Sequence, residues 1–211
     1  MKQTGGAARR ASPRELVLAS GNPGKLAELA ELLAPRFFKL RSVSEFAGVE
    51  LPEEGDDYAE NAAAKARAVA QATGLAALGD DSGIEVAALG DAPGPRSARY
   101  GGPALDDPGR AALLIKAVEE TGSLDRSARF VCVAALAEPG GALRSARGEC
   151  RGHILAAPRG TGGFGYDPVF QPEGHGVSMA ELPTSVKNRI SHRARAIAAL
   201  GSALGRLCGA P

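Results

Sequence analysis

The opening of this chain constrains its fold more than any other feature. An apolar run, Leu16 to Ala19, passes straight into Ser20-Gly21-Asn22-Pro23-Gly24-Lys25 and then into apolar residues at positions 26, 29, 30 and 33. The run reads as a buried strand, the Gly/Pro hexapeptide as a tight loop, and the three-and-four spacing as one face of a helix. Strand, Gly-rich loop and helix in that order are the unit from which layered α/β folds are built.

The remaining punctuation extends the pattern. Phe37 to Val43 reads as a second strand. Asp57 and Glu60 have the spacing of a capping box ahead of a helix from Tyr58 to Thr73, which Gly74 ends. Leu75 to Leu78 reads as a strand running into an acidic turn at Gly79-Asp80-Asp81, with a second extended piece from Ile84 to Leu89. A helix follows from Pro108 to Glu120, ended by Gly122. Phe130 to Ala137 and Leu143 to Leu155 read as neighbouring strands joined through Pro139, Gly140 and Gly141. Pro158 to Gly176 reads as a long loop, and one last helix spans about Ser185 to Leu207. Helices alternate with strands at both ends and a hairpin lies in the middle, so the expected fold is α/β with a mixed sheet. There is no internal repeat and no linker, so residues 15–208 are expected to form one domain. Residues 1–14 carry Lys2, Arg9, Arg10 and Arg14 and no acid, as a transit peptide does. The stretch is short and broken by Gly5, Gly6 and Pro13, and reads as a mobile tail.

Composition excludes several function classes. Hydrophobic residues make up 44% of the 211, enough for a core. No apolar run approaches the roughly 20 residues that span a bilayer, so no membrane partner is expected. A formal net charge of +1 argues against a nucleic-acid-coating protein, which needs many cations against phosphate. Cys132, Cys150 and Cys208 form no CxxC pair, and His153, His175 and His192 lack zinc-site spacing. This cysteine usage suits a reducing, cytoplasmic setting.

Five segments could carry chemistry. Ser20 to Lys25 places a Gly-rich turn and an ammonium at a helix start, where an anion is favoured. It is not a Walker A loop, because Ala19 and Leu26 stand where Gly and Ser or Thr are needed. The alternative is an ordinary strand-to-helix turn. In Gly79-Asp80-Asp81-Ser82-Gly83, alternation along a strand points the two carboxylates to opposite faces, so one is expected to face a reaction and the other to brace the turn. Such carboxylates bind Mg²⁺ or take a proton from water. The flanking glycines permit close approach of backbone to a ligand. Gly162 to Pro168 holds Phe164 and Tyr166 among glycines, either with a free face for base stacking or as core residues of a hairpin, and Asp167 can accept hydrogen bonds from a base edge. On the last helix Lys187 and Ser191 are four apart, with His192 and Arg193 following, which is either a phosphate- and carbonyl-reading group or a solvated basic face. Glu53-Glu54 reads as surface or as a metal contact.

Together these segments resemble the inosine triphosphate pyrophosphatase family, the non-standard purine nucleoside triphosphate pyrophosphatases. The resemblance is carried by Leu18 to Asn22 through Lys25, Glu60-Asn61-Ala62 through Lys65, Asp80 to Gly83, Pro93-Gly94 through Ser97 to Tyr100, Gly162 to Pro168, and Ser191-His192-Arg193, in family order from residue 16 to about 205. It implies a long mixed sheet flanked by helices, with two lobes around a central cleft, and a homodimer. It implies a nucleoside triphosphate as substrate and Mg²⁺ as cofactor. Ser20, Gly21, Asn22, Pro23, Gly24 and Lys25 would hold the triphosphate. Asp81 would be the proton acceptor and a metal contact, Ser82 would touch substrate, and Glu54 or its neighbour Glu53 would be the second metal contact. Phe164, Gly165, Tyr166 and Asp167 would form the base pocket, and Lys187, His192 and Arg193 would complete the nucleotide contacts. Two departures are Met179, where the family usually has an aromatic, and the Pro95-Arg96 pair.

Overall fold

The computed structural model of the chain describes residues 13–33 and 38–207. Its centre is a six-stranded mixed sheet in the order β2-β1-β3-β4-β5-β6, formed by β1 (Arg14–Ala19), β2 (Phe38–Ser42), β3 (Ala76–Val86), β4 (Ser127–Ala137), β5 (Leu143–Ile154) and β6 (Phe170–Pro172). β2, β1 and β3 are mutually parallel, and β3 to β6 run antiparallel in turn. Helices α1 (Pro23–Leu33), α2 (Tyr58–Thr73), α3 (Asp107–Glu120), α4 (Thr184–Ile190), α5 (His192–Ala199) and α6 (Gly201–Leu207) cover it. Among the described residues no helix is long and apolar enough to cross a membrane. Residues 1–12 of the expected tail, Phe37 and Cys208 lie outside the described residues, and Arg14, assigned to the tail, already begins β1.

Period-two alternation sorts the sheet into two faces. Leu16, Leu18, Leu78 and Leu136 pack with Leu29 and Leu33 of α1 and with Ile197, Leu200 and Leu204. Val17, Ala19, Ala77, Val131, Val133 and Ala135 face the other way, against Ala62, Ala66, Val69 and Ala70 of α2. A third cluster, around Ile84, Leu114, Phe130 and Phe170, contains the unusual Met179 as a buried core residue. Helix α2 has the bounds its sequence announces. The Asp57 carboxylate accepts from the N–H groups of Ala59 and Glu60, and Gly74 caps the end at φ 67°.

Three expectations are corrected. The acidic turn does not exist: Ala76 to Val86 is one continuous strand, buried on both faces, with Asp80 and Asp81 in its middle. The last helix is three helices, because Ser191 takes an extended conformation (φ −64°, ψ 153°) and turns its hydroxyl onto the Ala194 N–H as the cap of α5. The loop from Pro158 to Gly176 contains the short edge strand β6, paired with β5 through three residue pairs.

Why β3 tolerates glycines follows from its neighbours. A Cβ on Gly79 would stand 2.4 Å from the Ala62 carbonyl oxygen and 2.9 Å from the Ala66 nitrogen. One on Gly83 would stand 2.1 Å from the Gly94 carbonyl oxygen. Both glycines therefore admit protein backbone, from α2 and from the 94–99 turn, and not a ligand as the sequence suggested. Gly79→Ala should overpack the α2–β3 contact and cost about 1–3 kcal/mol. An unchanged denaturant midpoint would show that α2 can stand off the strand.

Candidate functional site

The sheet leaves one gap. β1 pairs with β3 only as far as Ala19 opposite Gly79, after which the chain turns away into Ser20 to Lys25. Further along that edge, the Ile84 N–H donates to Ser97 Oγ (2.8 Å) and Glu85 bridges Pro93. Between these points Asp80 to Gly83 have β4 on one side and no strand on the other. The gap lies beyond the carboxyl end of a parallel strand, where open α/β sheets place ligands.

On one face of the gap stands Asp80, buried. Its carboxylate pairs with the Lys25 ammonium at 2.9 Å and accepts from Arg193 Nε at 3.0 Å and from the Cys132 thiol at 3.2 Å. Burial alone would raise the Asp80 carboxyl; the Arg193 guanidinium and the Lys25 ammonium instead hold it far below the usual carboxylate range. Arg193 also donates to Ser82 Oγ (2.9 Å) and to Glu28, and Glu28 pairs with Lys187 at 2.5 Å. Lys187 in turn donates to Asp167, whose same oxygen accepts from the Phe164 N–H at 3.0 Å. The Phe164 ring lies under the Lys187 and Arg193 cations, 5.4 and 5.7 Å from its centroid. His192 stacks on Phe130 with centroids 4.7 Å apart, and burial together with the neighbouring Arg193 keeps its imidazole neutral at physiological pH.

On the other face stands Asp81. Asn61 Nδ2 donates to Asp81 Oδ2 at 2.8 Å, and the Lys65 ammonium lies 3.6 Å from Asp81 Oδ1 while bonding to Glu54. Burial raises the Asp81 carboxyl above its ordinary value, against the pull of Lys65 and Asn61, which makes it a better proton acceptor than a free carboxylate. Glu54 faces this group, and Glu53 is exposed. Among the described residues no three His, Cys, Asp or Glu side chains form a self-sufficient metal cage. Two carboxylates converging on one ammonium do fit Mg²⁺, which is held through one or two carboxylates plus substrate phosphates.

Some expected roles look different in three dimensions. In the Ser20–Lys25 loop two N–H groups are already taken, that of Asn22 by Ser20 Oγ and that of Lys25 by Asn22 Oδ1. Asn22 caps α1 and Pro23 occupies its first turn. Tyr166 is buried in the core with its hydroxyl on the Ser97 carbonyl at 2.8 Å. The Phe164 ring is not free: a Cβ on Gly24 would stand 2.6 Å from it. The cavity lined by Lys25, Ser82, Phe164, Asp167, Lys187 and Arg193 encloses about 80 Å³.

The model of the Ham1 family matches residues 16–203. The chain belongs to the Ham1 family. Proteins named dITP/XTP pyrophosphatase are similar to it: that of Desulforamulus reducens is 47% identical over 92% of this chain and 96% of its own length, and that of Deinococcus radiodurans 49% identical over 97% and 98%. Among solved structures, a HAM1 protein from Coxiella burnetii superposes with a TM-score of 0.83 at 44% identity, covering 92% of this chain and 99% of that one. The Staphylococcus aureus Ham1 protein gives 0.80 at 34% identity, covering 92% and 100%.

The cleft also contains side chains to which the sequence reading gave no role: Glu28, Asn61, Lys65 and Arg110. Three carried a signal. Asn61 and Lys65 lie four apart on the otherwise apolar stripe of α2, and Glu28 is one turn from Lys25 on α1. Asp80 is corrected as well. It does face away from Asp81, but it braces Lys25 and Arg193 across the cleft and not a turn. Asp80→Asn should strand the Lys25 ammonium, leave Arg193 with Glu28 as its one charged partner among the described residues, and cost about 3–5 kcal/mol at neutral pH. Its folded carboxyl is depressed, so the wild-type advantage is full above the unfolded value, about 3.9, and wanes as pH falls below it. Melts of both proteins from pH 7 to pH 2 check this; a gap that stays constant into acid would contradict it.

Proposed function

We infer that this chain is an enzyme that hydrolyses the triphosphates of inosine, deoxyinosine and xanthosine to the monophosphate and pyrophosphate, removing aberrant purines from the nucleotide pool. The observation that carries this is its likeness, over more than nine-tenths of its length, to proteins named dITP/XTP pyrophosphatase. The geometry supports a division of labour across β3. Lys25 and the Gly21 and Gly24 amides take the phosphates, with Asn22 fixing the loop. Phe164 and Gly165 receive the base, with Asp167 accepting from its N1–H, Arg193 donating to O6, and Lys187 and His192 completing the wall. Asp81 takes the proton of a water that attacks the α-phosphorus, and the bond from that phosphorus to the bridging oxygen of pyrophosphate breaks. Adenine reverses the donor and acceptor at positions 6 and 1, so it would leave buried groups unpaired.

Four cations, Lys25, Lys65, Lys187 and Arg193, stand among five carboxylates, those of Glu28, Glu54, Asp80, Asp81 and Asp167. These side chains therefore cannot by themselves offset a triphosphate. Glu54 and Asp81 would hold Mg²⁺, whose charge offsets that of the phosphates.

The decisive experiment incubates the chain with inosine, xanthosine, guanosine and adenosine triphosphates plus Mg²⁺ and identifies the phosphate product. Inosine and xanthosine nucleotides should release pyrophosphate; release of orthophosphate, or no preference among bases, would sink the reading. In the same assay Asp81→Asn should lower kcat by about 10²–10⁴-fold while retaining the wild-type melt. An active Asp81→Asn enzyme would remove this carboxylate from the chemistry.

We also propose that residues 15–208 work as one domain of two lobes, in a cytoplasmic homodimer. Family resemblance supports the dimer, and light scattering that gives a monomer mass at micromolar concentration would overturn it.

A further inference from the structure

Arg110, the fourth residue of α3, lines the same cavity as Phe164, Tyr166, Asp167 and Arg193. Its guanidinium is held loosely. Nη2 donates to the Gly102 carbonyl at 3.3 Å, and Nη1 is 4.0 Å from Asp107 Oδ1. Its Nε is buried and has no acceptor among the described residues. A buried donor without a partner costs about 1–3 kcal/mol, and such groups are few in folded proteins. The position of Arg110 is nonetheless fixed relative to the base pocket. The other Asp107 oxygen accepts the Gly165 N–H at 2.8 Å and so ties the start of α3 to the loop that carries Phe164.

We propose that Arg110 reads the 2-position of the purine and sets discrimination among xanthine, hypoxanthine and guanine. This deepens, and rests on, the reading of the cleft as a site for purine nucleoside triphosphates. The three bases present the same O6 acceptor and N1–H donor, so Arg193 and Asp167 do not tell them apart. They differ at C2, which bears a carbonyl oxygen in xanthine, a hydrogen in hypoxanthine and an amino group in guanine. A guanidinium only donates. It gains a charge-assisted bond to the xanthine oxygen and nothing from hypoxanthine. Against guanine, donor meets donor and both stay unpaired in a closed pocket. One side chain thereby favours xanthine and disfavours guanine, which shares every other feature of the Watson–Crick edge.

The test measures kcat/KM for xanthosine, inosine and guanosine triphosphates on the wild type, Arg110→Met and Arg110→Gln, beside a melt of each. Arg110→Met should lower the xanthosine-to-inosine ratio about tenfold. Arg110→Gln, which offers an acceptor as well as donors, should raise guanosine turnover relative to inosine. Arg110→Lys, which keeps a donor and the charge, should retain part of the xanthosine preference and serves if the other two melt poorly. Equal fractional losses on all three nucleotides would overturn the proposal and leave Arg110 a structural residue. Wild-type protein inactive on all three would instead overturn the reading of the cleft itself.

Discussion

The structure depends on one buried carboxylate. Asp80 collects Lys25 from α1, Arg193 from α5 and the Cys132 thiol from β4 on a strand closed on both faces. Taking such an ion out of water costs several kcal/mol unless its partners are placed well, so these partners fix where α1 and α5 sit on the sheet. From Arg193 the contacts continue through Glu28 and Lys187 to Asp167 and the Phe164 amide. The Lys25 end and the Phe164 end of the cleft are thus parts of one buried network. A change at either end is felt at the other, because neighbouring members share partners along the chain of contacts.

The network is accessible because the sheet is incomplete there. Had β1 continued past Ala19, its backbone would have paired with Asp80 to Gly83 and sealed the edge. Pro23 starts a helix and Asn22 caps it, so the chain leaves the sheet at the point where the carboxylates begin. The glycines at either end of the acidic segment then let α2 and the 94–99 turn close on the backbone from outside. The spacing Gly-Asp-Asp-Ser-Gly is in this sense a packing motif wrapped around a chemical one.

Much of this was legible in the residues, and the parts that were not share a cause. Local signals were sufficient for α2, where Asp57 and Gly74 mark both ends, and for the β4–β5 hairpin with its Pro-Gly-Gly turn. They failed at β3, because two adjacent aspartates between glycines have the local preference of a turn, and the compensating partners Lys25, Arg193, Asn61 and Lys65 come from distant segments. They failed again at Ser191, which an unbroken basic and apolar pattern hides within a helix although it is a cap. The opposed faces of Asp80 and Asp81 could be deduced from alternation alone. What each face holds could not, since that depends on tertiary contacts. Arg110 left no sequence signal, being a lone Arg near the start of a helix with no motif around it.

Binding of a nucleotide to such a site is an exchange and not an addition. Each ammonium that turns toward a phosphate leaves a carboxylate that was already paired in a buried setting. Asp80 keeps Arg193 and Cys132 if Lys25 swings away, so its charge is still compensated. Glu54 and Asp81 have no such reserve when Lys65 leaves them: Asp81 retains the Asn61 amide, a neutral donor, and Glu54 faces only the more distant Lys25 and Arg99 charges. The two faces of β3 therefore differ in what they need on loading. The Asp80 face tolerates an anion as it stands. The Asp81 face would call for a replacement cation, and this electrostatic asymmetry is the physical argument for placing the proposed Mg²⁺ beside Asp81 and not beside Asp80.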